Sequence, residues 1–550
     1  MAFEITTFGK KLSFEKKITL LDLLKQLDMD NKHYICAKVN NRVRELNYEV
    51  YYDAEVEFLD LTYHESVKIY EACLRYICAM AFKRCYPKLN VKFSYNVSRC
   101  VSIHLLTDGY TANMAMLLKV KHEMEAIIAA DYPFNRMVVP NEKAEKIYKK
   151  QGLHDKVDIL KYRPEKTVHL YECDGYLNYM YQAMVPSTGY IKEFRLRLYS
   201  PGFLMQYPRS ECGGQIPDFH DASTFSRVLQ EGHQWQSTVG LSSVAAINKR
   251  IEEAGDIELI NVGEARHYRQ LAELGQLIQD DINTIRLICI AGPSSSGKTT
   301  FANRLRIELL SRGINTVRIS LDDYYKSREE SPRLEDGSID FESINALNVD
   351  QFNSDMFDLI AGKEVTLPRF DFNLGHSVPG RTLKIGKNEP IIIEGIHALN
   401  DLMTSAIPKQ NKFKIFIAPV AQMNIDDHNP VSLTDLRLIR RIVRDKQFRG
   451  SSAEQTLAMW PGVRQGEFKW IYDTQEGSDY VYNSFLPYEL PVMKKIAMPL
   501  LENIGRESEF SPDARRLMRM LKFFVDIDDK WVPNNSLMRE FLGGSCFSDV

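Results

Sequence analysis

The sequence predicts a multidomain α/β protein, and three observations carry that expectation. The first is a strand–turn–helix signature, IRLICIAGPSSSGKTTFANRLRIELL, in which an apolar β-branched run meets a glycine-rich turn and then an amphipathic helix. The second is that strand and helix patterns keep alternating after it, which argues for a parallel sheet wrapped by helices over residues 286–495. The third is length: 550 residues exceed one compact core and suit three or four domains.

The elements before the sheet are of a different kind. Residues 1–61 alternate in short strand-like runs (FEITTF, KLSFEKKIT, YICAKVN, AEVEFLDL) around one helical segment, LLDLLKQL, so a small mixed sheet clasping a helix is expected. Residues 62–205 open with a long apolar helix over Val67–Tyr86 that stops before Pro87. Helical stretches at 112–130 and 141–151 follow, then strand-like TVHLYEC and EFRLRLY, which together read as an α+β domain. Residues 206–285 read as a helical connector, opened by Pro208 and the Gly213–Gly214 pair. The tail, 496–550, carries one amphipathic run, DARRLMRMLKFF, and is expected to end in a polar coil.

Composition narrows the class. The chain is 44% hydrophobic and 26% charged, ordinary for a soluble globular protein. Seventy basic against seventy-three acidic side chains leave a formal charge of -3, so global charge gives no argument for nucleic acid, while a local basic patch stays open. Nine cysteines, without zinc-type CxxC pairs and often in apolar runs such as LICIAG, are expected to be buried thiols and not a disulfide framework. MAFEITTFGKK has no apolar signal core and no stretch of about twenty apolar residues occurs, so a cytoplasmic chain that does not span a membrane is expected.

The glycine-rich turn GPSSSGKT fits GxxxxGK[ST], with the strand and helix that the motif requires on either side. Gly292 and Gly297 allow successive amides to aim inward, and the helix N-terminus adds its positive end. Gly292, Pro293, Ser294, Ser295, Ser296, Gly297, Lys298, Thr299 and Thr300 are therefore the expected nucleotide-binding residues. Lys298 reaches terminal phosphates and the Thr299 hydroxyl ligates Mg²⁺. ATP or GTP is the expected phosphate donor.

Two acidic positions follow at strand ends, where ligands of parallel sheets gather. In NTVRISLDDYYK the pair Asp322 and Asp323 can orient or deprotonate a hydroxyl beside Mg²⁺, or merely cap the next turn. In PIIIEGIHAL, Glu394 can hold Mg²⁺, or be a solvated strand-end acid. Further on, LRLIRRIVRDKQFRG concentrates Arg437, Arg440, Arg441, Arg444 and Arg449, with Arg437, Arg441 and Arg444 on one helix face. Such a helix is either a solvated face or a lid that neutralises charge on a transferring phosphoryl group.

With these motifs in view, residues 286–490 resemble the uridine/cytidine kinases, which share their fold with phosphoribulokinase. GPSSSGKTT, SLDDYYK, PRFDFNLGH, IIIEGIHAL and RRIVRDKQFRG occur in that family's order and at similar separations. The resemblance implies Asp322 as the catalytic acid beside a nucleoside 5'-hydroxyl, with Thr299, Asp322 and Glu394 around Mg²⁺. It implies Arg444 and Arg449 as lid arginines. Phe370, Phe372 and His376 would build the nucleoside pocket, Glu342 (or Asp340) would grip the ribose hydroxyls, and Arg441 would face the substrate. The sequence departs from the family's pattern at Phe370, where tyrosine is usual, at Ser451 in place of an arginine, at Met459 in place of a glutamine, and by one extra residue before His376.

The front half resembles the N-terminal region of threonyl-tRNA synthetases. Residues 1–61 are similar to the β-grasp TGS domain, and CAMAFKRCYP with AMVPSTGYIKEFRL resembles the second domain, whose editing site uses an HxxxH and a CxxxH pair. The matching positions here are Ala72, Tyr76, Met180 and Met184, none a good ligand for zinc or a hard metal, so hydrolytic editing is not expected. The expected function is a nucleoside kinase. The alternatives are a kinase of another small acceptor such as a sugar phosphate, or a nucleotide-dependent RNA-binding or regulatory protein using the N-terminal region. A homo-oligomer is left open.

Overall fold

The Leu287–Ala291 strand is buried at all five residues, and a run with no polar face needs cover above and below. In the computed structural model, which describes residues 2–95, 97–334, 337–371, 374–421 and 423–547, it lies at the centre of a five-stranded sheet. The order is Val317–Ser320, Ile391–Glu394, Leu287–Ala291, Lys412–Ala418, Tyr480–Asn483, and each neighbouring pair is parallel. Ile290 pairs with Glu394 and Ile415 in register, so the carboxyl ends of these strands finish together. On one face the Lys298–Ser311 helix packs Phe301, Leu305 and Leu309 against Ile288, Ile290 and Ile392. On the other, Phe352, Met356 and Leu359 of the Val349–Ile360 helix meet Cys289, Ile391 and Ile393. The parallel α/β sheet that the alternating pattern predicts is present.

The front of the chain folds around two further sheets of note. Phe3–Thr7 pairs parallel with Ala54–Leu59 in the order Lys10–Phe14, Phe3–Thr7, Ala54–Leu59, Cys36–Val39, Arg42–Arg44. The Leu20–Gln26 helix closes this small sheet with Leu20, Leu23 and Leu24 inward. Next come an antiparallel four-stranded sheet, Arg195–Tyr199, Gly202–Gln206, Val101–Leu105 and Val91–Tyr95, and the His64–Cys85 helix, buried from Val67 to Phe82 except Lys68. Ala72, Tyr76, Met180 and Met184 are all buried core. The Tyr76 hydroxyl donates to the Tyr176 carbonyl at 2.6 Å, and the Cys73 thiol lies 3.6 Å from the Met184 sulfur. These positions are filled by packing rather than arranged around an ion.

Two sequence readings change in tertiary context. The helices of the connector, Ser223–Thr238, Val244–Ala254 and Asp256–Asp280, do not stand apart: Leu259, Leu271, Leu274 and Ile278 share one core with Ile288 and Ile290 of the central sheet. The tail after the Ser511–Leu521 helix is not a polar coil. Phe523, Phe524, Ile527, Leu537, Met538 and Phe541 are buried, because the polar residues between them hide an apolar spacing that finds partners in that same core.

Front and back halves are locked by polar groups with no access to water. The Lys156 ammonium, in the His154–Leu160 helix, sits 2.7 Å from Asp426 of the Asn424–Asp426 strand, with side-chain exposures of 1% and 0%. Asp426 also accepts the His428 amide at 2.9 Å and the Asn429 side-chain amide at 2.8 Å. Nearby, the Phe93 amide donates to the Asp427 carbonyl and the Asn424 amide group to the Phe93 carbonyl, both at 2.8 Å. Breaking one partner of such a pair strands a buried charge at about 3–5 kcal/mol. Lys156→Met is therefore expected to destabilise the chain by about that amount in chemical denaturation, while Lys156→Met with Asp426→Leu recovers part of the loss.

Candidate active site

Backbone geometry makes the glycine-rich turn a cradle. A Cβ on Gly292 would stand 2.0 Å from the Ile417 carbonyl oxygen, and Gly297 has φ +93°, so both positions favour glycine. The Lys298–Ser311 helix starts directly after Gly297, leaving its first amides and positive end facing the turn. The buried hydroxyls of Ser295, Ser296 and Thr300 have no hydrogen-bond partner among the described residues. Unsatisfied donors beside a helix N-terminus are what an incoming polyanion satisfies.

Carboxylates already stand on two of these amides. Ser294 N donates to Glu467 Oε1 and Thr300 N to Glu540 Oε2, each at 3.1 Å. Lys298 folds back, its ammonium 3.0 Å from the Gly292 carbonyl and 3.3 Å from that of Pro293. Leu537 lies so close over the turn that a Cβ on Gly297 would meet its side chain at 2.5 Å. The tail thus covers the cradle and supplies Glu540 to it.

The arginine-rich segment forms the Leu433–Arg449 helix, but its arginines do not act as one face. Arg437 makes a two-pronged pair with Glu467 at 2.5 and 2.7 Å and reaches the Ser294 carbonyl at 3.2 Å. Arg440 is fully buried, pairs with Glu489 at 2.5 Å, and donates to the Ser295 carbonyl at 3.3 Å. Arg441 donates to the Ser294 hydroxyl at 2.8 Å and meets Asp445 at 3.2 Å. Arg437 and Arg440 hold the turn by its carbonyls, while Arg441 also feels the Glu342 charge. Arg444 pairs with Asp445 at 3.0 Å, and Arg449, 56% exposed along its side chain, approaches the same carboxylate at 3.6 Å.

The charges of Lys298, Arg444 and Arg449 reach Asp322, and those of Asp322 and Lys298 reach Glu394. Asp322, in the Leu321–Tyr324 turn after the Val317–Ser320 strand, opens onto the cleft. Desolvation by the protein around it raises its pKa, opposed by Lys298, Arg449 and Arg444. Burial and then the Asp322 charge push Glu394 up to about 7, against Arg318 at 3.2 Å and Lys298. Burial holds Lys298 below its ordinary value, with Glu394, Glu540 and Asp322 pulling the other way. Glu342 is pushed up to about 7 by desolvation and then by Glu467.

The remaining expected positions divide. Asp323 accepts the Phe370 amide on its carboxylate and feels the charges of Asp322, Arg381 and Arg318. Phe370 is buried and packs edge-on against Tyr325 at 5.7 Å. Tyr325 in turn feels Asp322 and Glu342, which places Phe370 one side chain behind the charged cluster. Phe372 lies outside the described residues. His376 is exposed and, among the described residues, bonds the Ser377 carbonyl at 3.2 Å; nothing ties it to the acidic group. Met459 is 45% exposed. Sequence reasoning missed Glu467, Glu540, Arg318 and His397, whose buried ring nitrogen lies 2.9 Å from the Glu342 carbonyl. Only the apolar spacing of LMREFL around Glu540 offered a signal.

Comparison with known proteins bears on what this geometry is for. The pattern of the Phosphoribulokinase / Uridine kinase family matches residues 287–485. A uridine kinase of Mycoplasma genitalium is 33% identical over 174 residues, which is 32% of this chain and 73% of that protein. This chain belongs to the phosphoribulokinase/uridine kinase family. A threonine–tRNA ligase of Clostridium kluyveri is 28% identical over 191 residues, 34% of this chain and 30% of the ligase, in the N-terminal region. A solved structure of a possible uridine kinase from Bacillus stearothermophilus aligns at 25% identity with a TM-score of 0.24, over 27% of this chain and 80% of that one. As a family member, the chain carries a kinase-type phosphotransferase domain in its C-terminal half.

Two measurements follow from the charges. Glu394 holds its proton more tightly folded than unfolded, so its contribution to stability falls as pH rises from its ordinary range through about 7. In buffer without metal or nucleotide, Glu394→Gln should stabilise the chain by about 1–3 kcal/mol at pH 8 and by little at pH 5, read from melting curves. Because Glu540 competes for the Thr300 amide, Glu540→Gln should tighten nucleotide binding about tenfold in calorimetry.

Proposed function

We propose that this chain is an ATP- or GTP-dependent nucleoside kinase that phosphorylates the 5'-hydroxyl of uridine, cytidine or a related nucleoside. The observation that carries the reading is that the charges of Lys298, Asp322, Glu394, Arg444 and Arg449 gather beside a turn whose Ser295, Ser296 and Thr300 hydroxyls are buried without partners among the described residues. A nucleotide sensor needs the cradle but not an acid facing a second substrate. The division at residues 61, 205, 285 and 495 belongs to the same proposal.

Each side chain then has a task. The turn amides and Lys298 hold the triphosphate, displacing Glu540. Asp322 accepts the proton of the acceptor hydroxyl as its oxygen attacks the terminal phosphorus and the bond to the bridging oxygen breaks. Arg444 and Arg449 face the charge that spreads over the transferring group. Glu342 and Arg441 orient the acceptor, and Phe370 backs its pocket through Tyr325. Magnesium belongs to the proposal as well. Among the described residues no three His, Cys, Asp or Glu side chains form a metal site by themselves, which suits an ion held by one or two carboxylates and by substrate phosphates. Thr299, Asp322 and Glu394 are the residues that would hold it, and two acids whose pKa values are raised by desolvation are the donors such a cation relieves. When bound, it supplies neutralisation of the donor's phosphate charge.

A second reading keeps the chemistry and changes the acceptor. Phe370 brings no hydroxyl to the pocket, His376 stands outside the cluster, and Met459 faces solvent, which favours an acceptor read by fewer polar groups. A coupled ADP-release assay over nucleosides, ribose sugars and sugar phosphates decides between them. Uridine or cytidine turnover that drops about 10²–10⁴-fold in Asp322→Asn, with nucleotide binding retained, is the expected result. Turnover confined to a sugar phosphate would reassign the acceptor, and no turnover with any acceptor would overturn the kinase reading.

A further inference from the structure

A second concave site lies where three distant segments meet, and it shares no residue with the phosphate cradle. Its volume is about 470 Å³, and its walls are the Arg42–Arg44 strand, the first turns of the His64–Cys85 helix, and the Ser511–Leu521 helix with Lys522. Arg42, Arg44, Lys68, Arg515, Arg519 and Lys522 line it, against the carboxylates Glu65 and Asp513. Between the cations the surface is apolar, with Val43, Ile69, Met498 and Met518.

The cations of this cavity divide into those with a carboxylate partner and those without one among the described residues. Lys68 and Arg516 both pair with Asp435, and Lys522 pairs with Glu165. Among the described residues, Arg42, Arg44, Arg515 and Arg519 pair with no carboxylate. Arg44 lies over the Tyr48 ring at 4.5 Å, its buried Nε without a partner among the described residues, and Arg519 lies over the Tyr181 ring at 5.5 Å. Arg515 donates to the Ser511 hydroxyl at 3.2 Å. Its pKa is lowered by partial desolvation and then by Arg42, Arg506, Arg44 and Arg519, all cations. Convergence of like charges from separate segments is unfavourable without an anion to share.

The walls are nevertheless held in place. The Asn41 side-chain amide donates to the Glu507 carbonyl at 2.6 Å, and the Tyr181 hydroxyl donates to the Arg516 carbonyl at 2.7 Å. Arg516 pairs with Asp513 at 2.6 Å besides Asp435. The site is therefore preformed: several guanidiniums, whose fork geometry suits phosphate oxygens, ring an apolar floor in a volume of small-molecule size. An anion with an apolar, planar body satisfies both parts; inorganic phosphate satisfies one.

We propose that this cavity binds a free nucleoside phosphate, its phosphates on Arg42, Arg44, Arg515 and Arg519 and its base against Met498 and Met518. Which acceptor the kinase uses does not matter here; only the choice of Lys298→Ala to silence the phosphate loop rests on the reading above. The test is equilibrium dialysis of the full chain against labelled ATP and labelled UTP. In Lys298→Ala, one equivalent of nucleotide should still bind, and Arg515→Ser with Arg519→Ser should weaken that binding about tenfold or more. Arg42→Ser with Arg44→Ser, on a different wall, should do the same, with unchanged melting temperature as the check on folding. Tripolyphosphate should compete only weakly, since it leaves the apolar floor uncovered. Loss of all nucleotide binding in Lys298→Ala, residual binding that ignores both arginine pairs, or retention of an RNA oligonucleotide but of neither nucleotide would overturn the proposal. If Lys298→Ala alters nothing, the phosphate-loop reading fails, while the arginine pairs still decide the cavity.

Discussion

The buried charges of the Leu433–Arg449 helix are the constraint on which the rest of this structure depends. Arg437 and Arg440 are taken out of water completely, and each is matched by a carboxylate, Glu467 and Glu489, from another part of the chain. Such pairs add little net stability, since desolvation offsets attraction, but removing either partner strands a charge. Their effect is positional: both guanidiniums end on carbonyls of the phosphate turn, Ser294 and Ser295. At its first turn the same helix presents Asp435 to Lys68 of the front half and Arg516 of the tail. One helix therefore sets the shape of the turn and fixes both chain ends relative to it.

A helix N-terminus without a ligand remains an electropositive surface, and this chain meets it with its own acids. Glu467 and Glu540 accept from the amides of Ser294 and Thr300, the interactions a phosphate would replace. Glu467 is held there by Arg437 and Arg464, which keep its pKa low despite burial. Glu540 arrives on the tail and, among the described residues, forms no ion pair to hold it there. The two carboxylates are thus unequal: one is part of the frame, the other a stand-in that a triphosphate, with more charge and more acceptor atoms, can displace.

The front half is held by a different balance, an interior satisfied almost wholly by packing. Ala72, Tyr76, Met180 and Met184 fill the centre of a domain similar to that of the threonine–tRNA ligases. Apolar packing and one tyrosine hydroxyl bonded to a carbonyl satisfy this interior. At its boundary with the tail the front half contributes Arg42, Arg44 and Lys68 to a cationic cavity.

The sequence by itself determined the features that are local. The strand, glycine-rich turn and helix around Gly292 to Thr300 lie within a short stretch, and Asp322 and Glu394 fall at strand ends whose hydrophobic runs announce themselves. The clasped helix with Leu20, Leu23 and Leu24 was legible for the same reason, a period read over a few residues. Tertiary structure alone decided what each face meets. Helical spacing grouped Arg437 with Arg441 and Arg444, yet Glu467 claims Arg437 for the frame of the turn. The connector read as helical, but its apolar stripe gives no sign of the sheet it covers. Glu540 bonds an amide 240 residues earlier in the chain. Pairings at that separation follow from how whole layers pack, and no spacing along the chain encodes them.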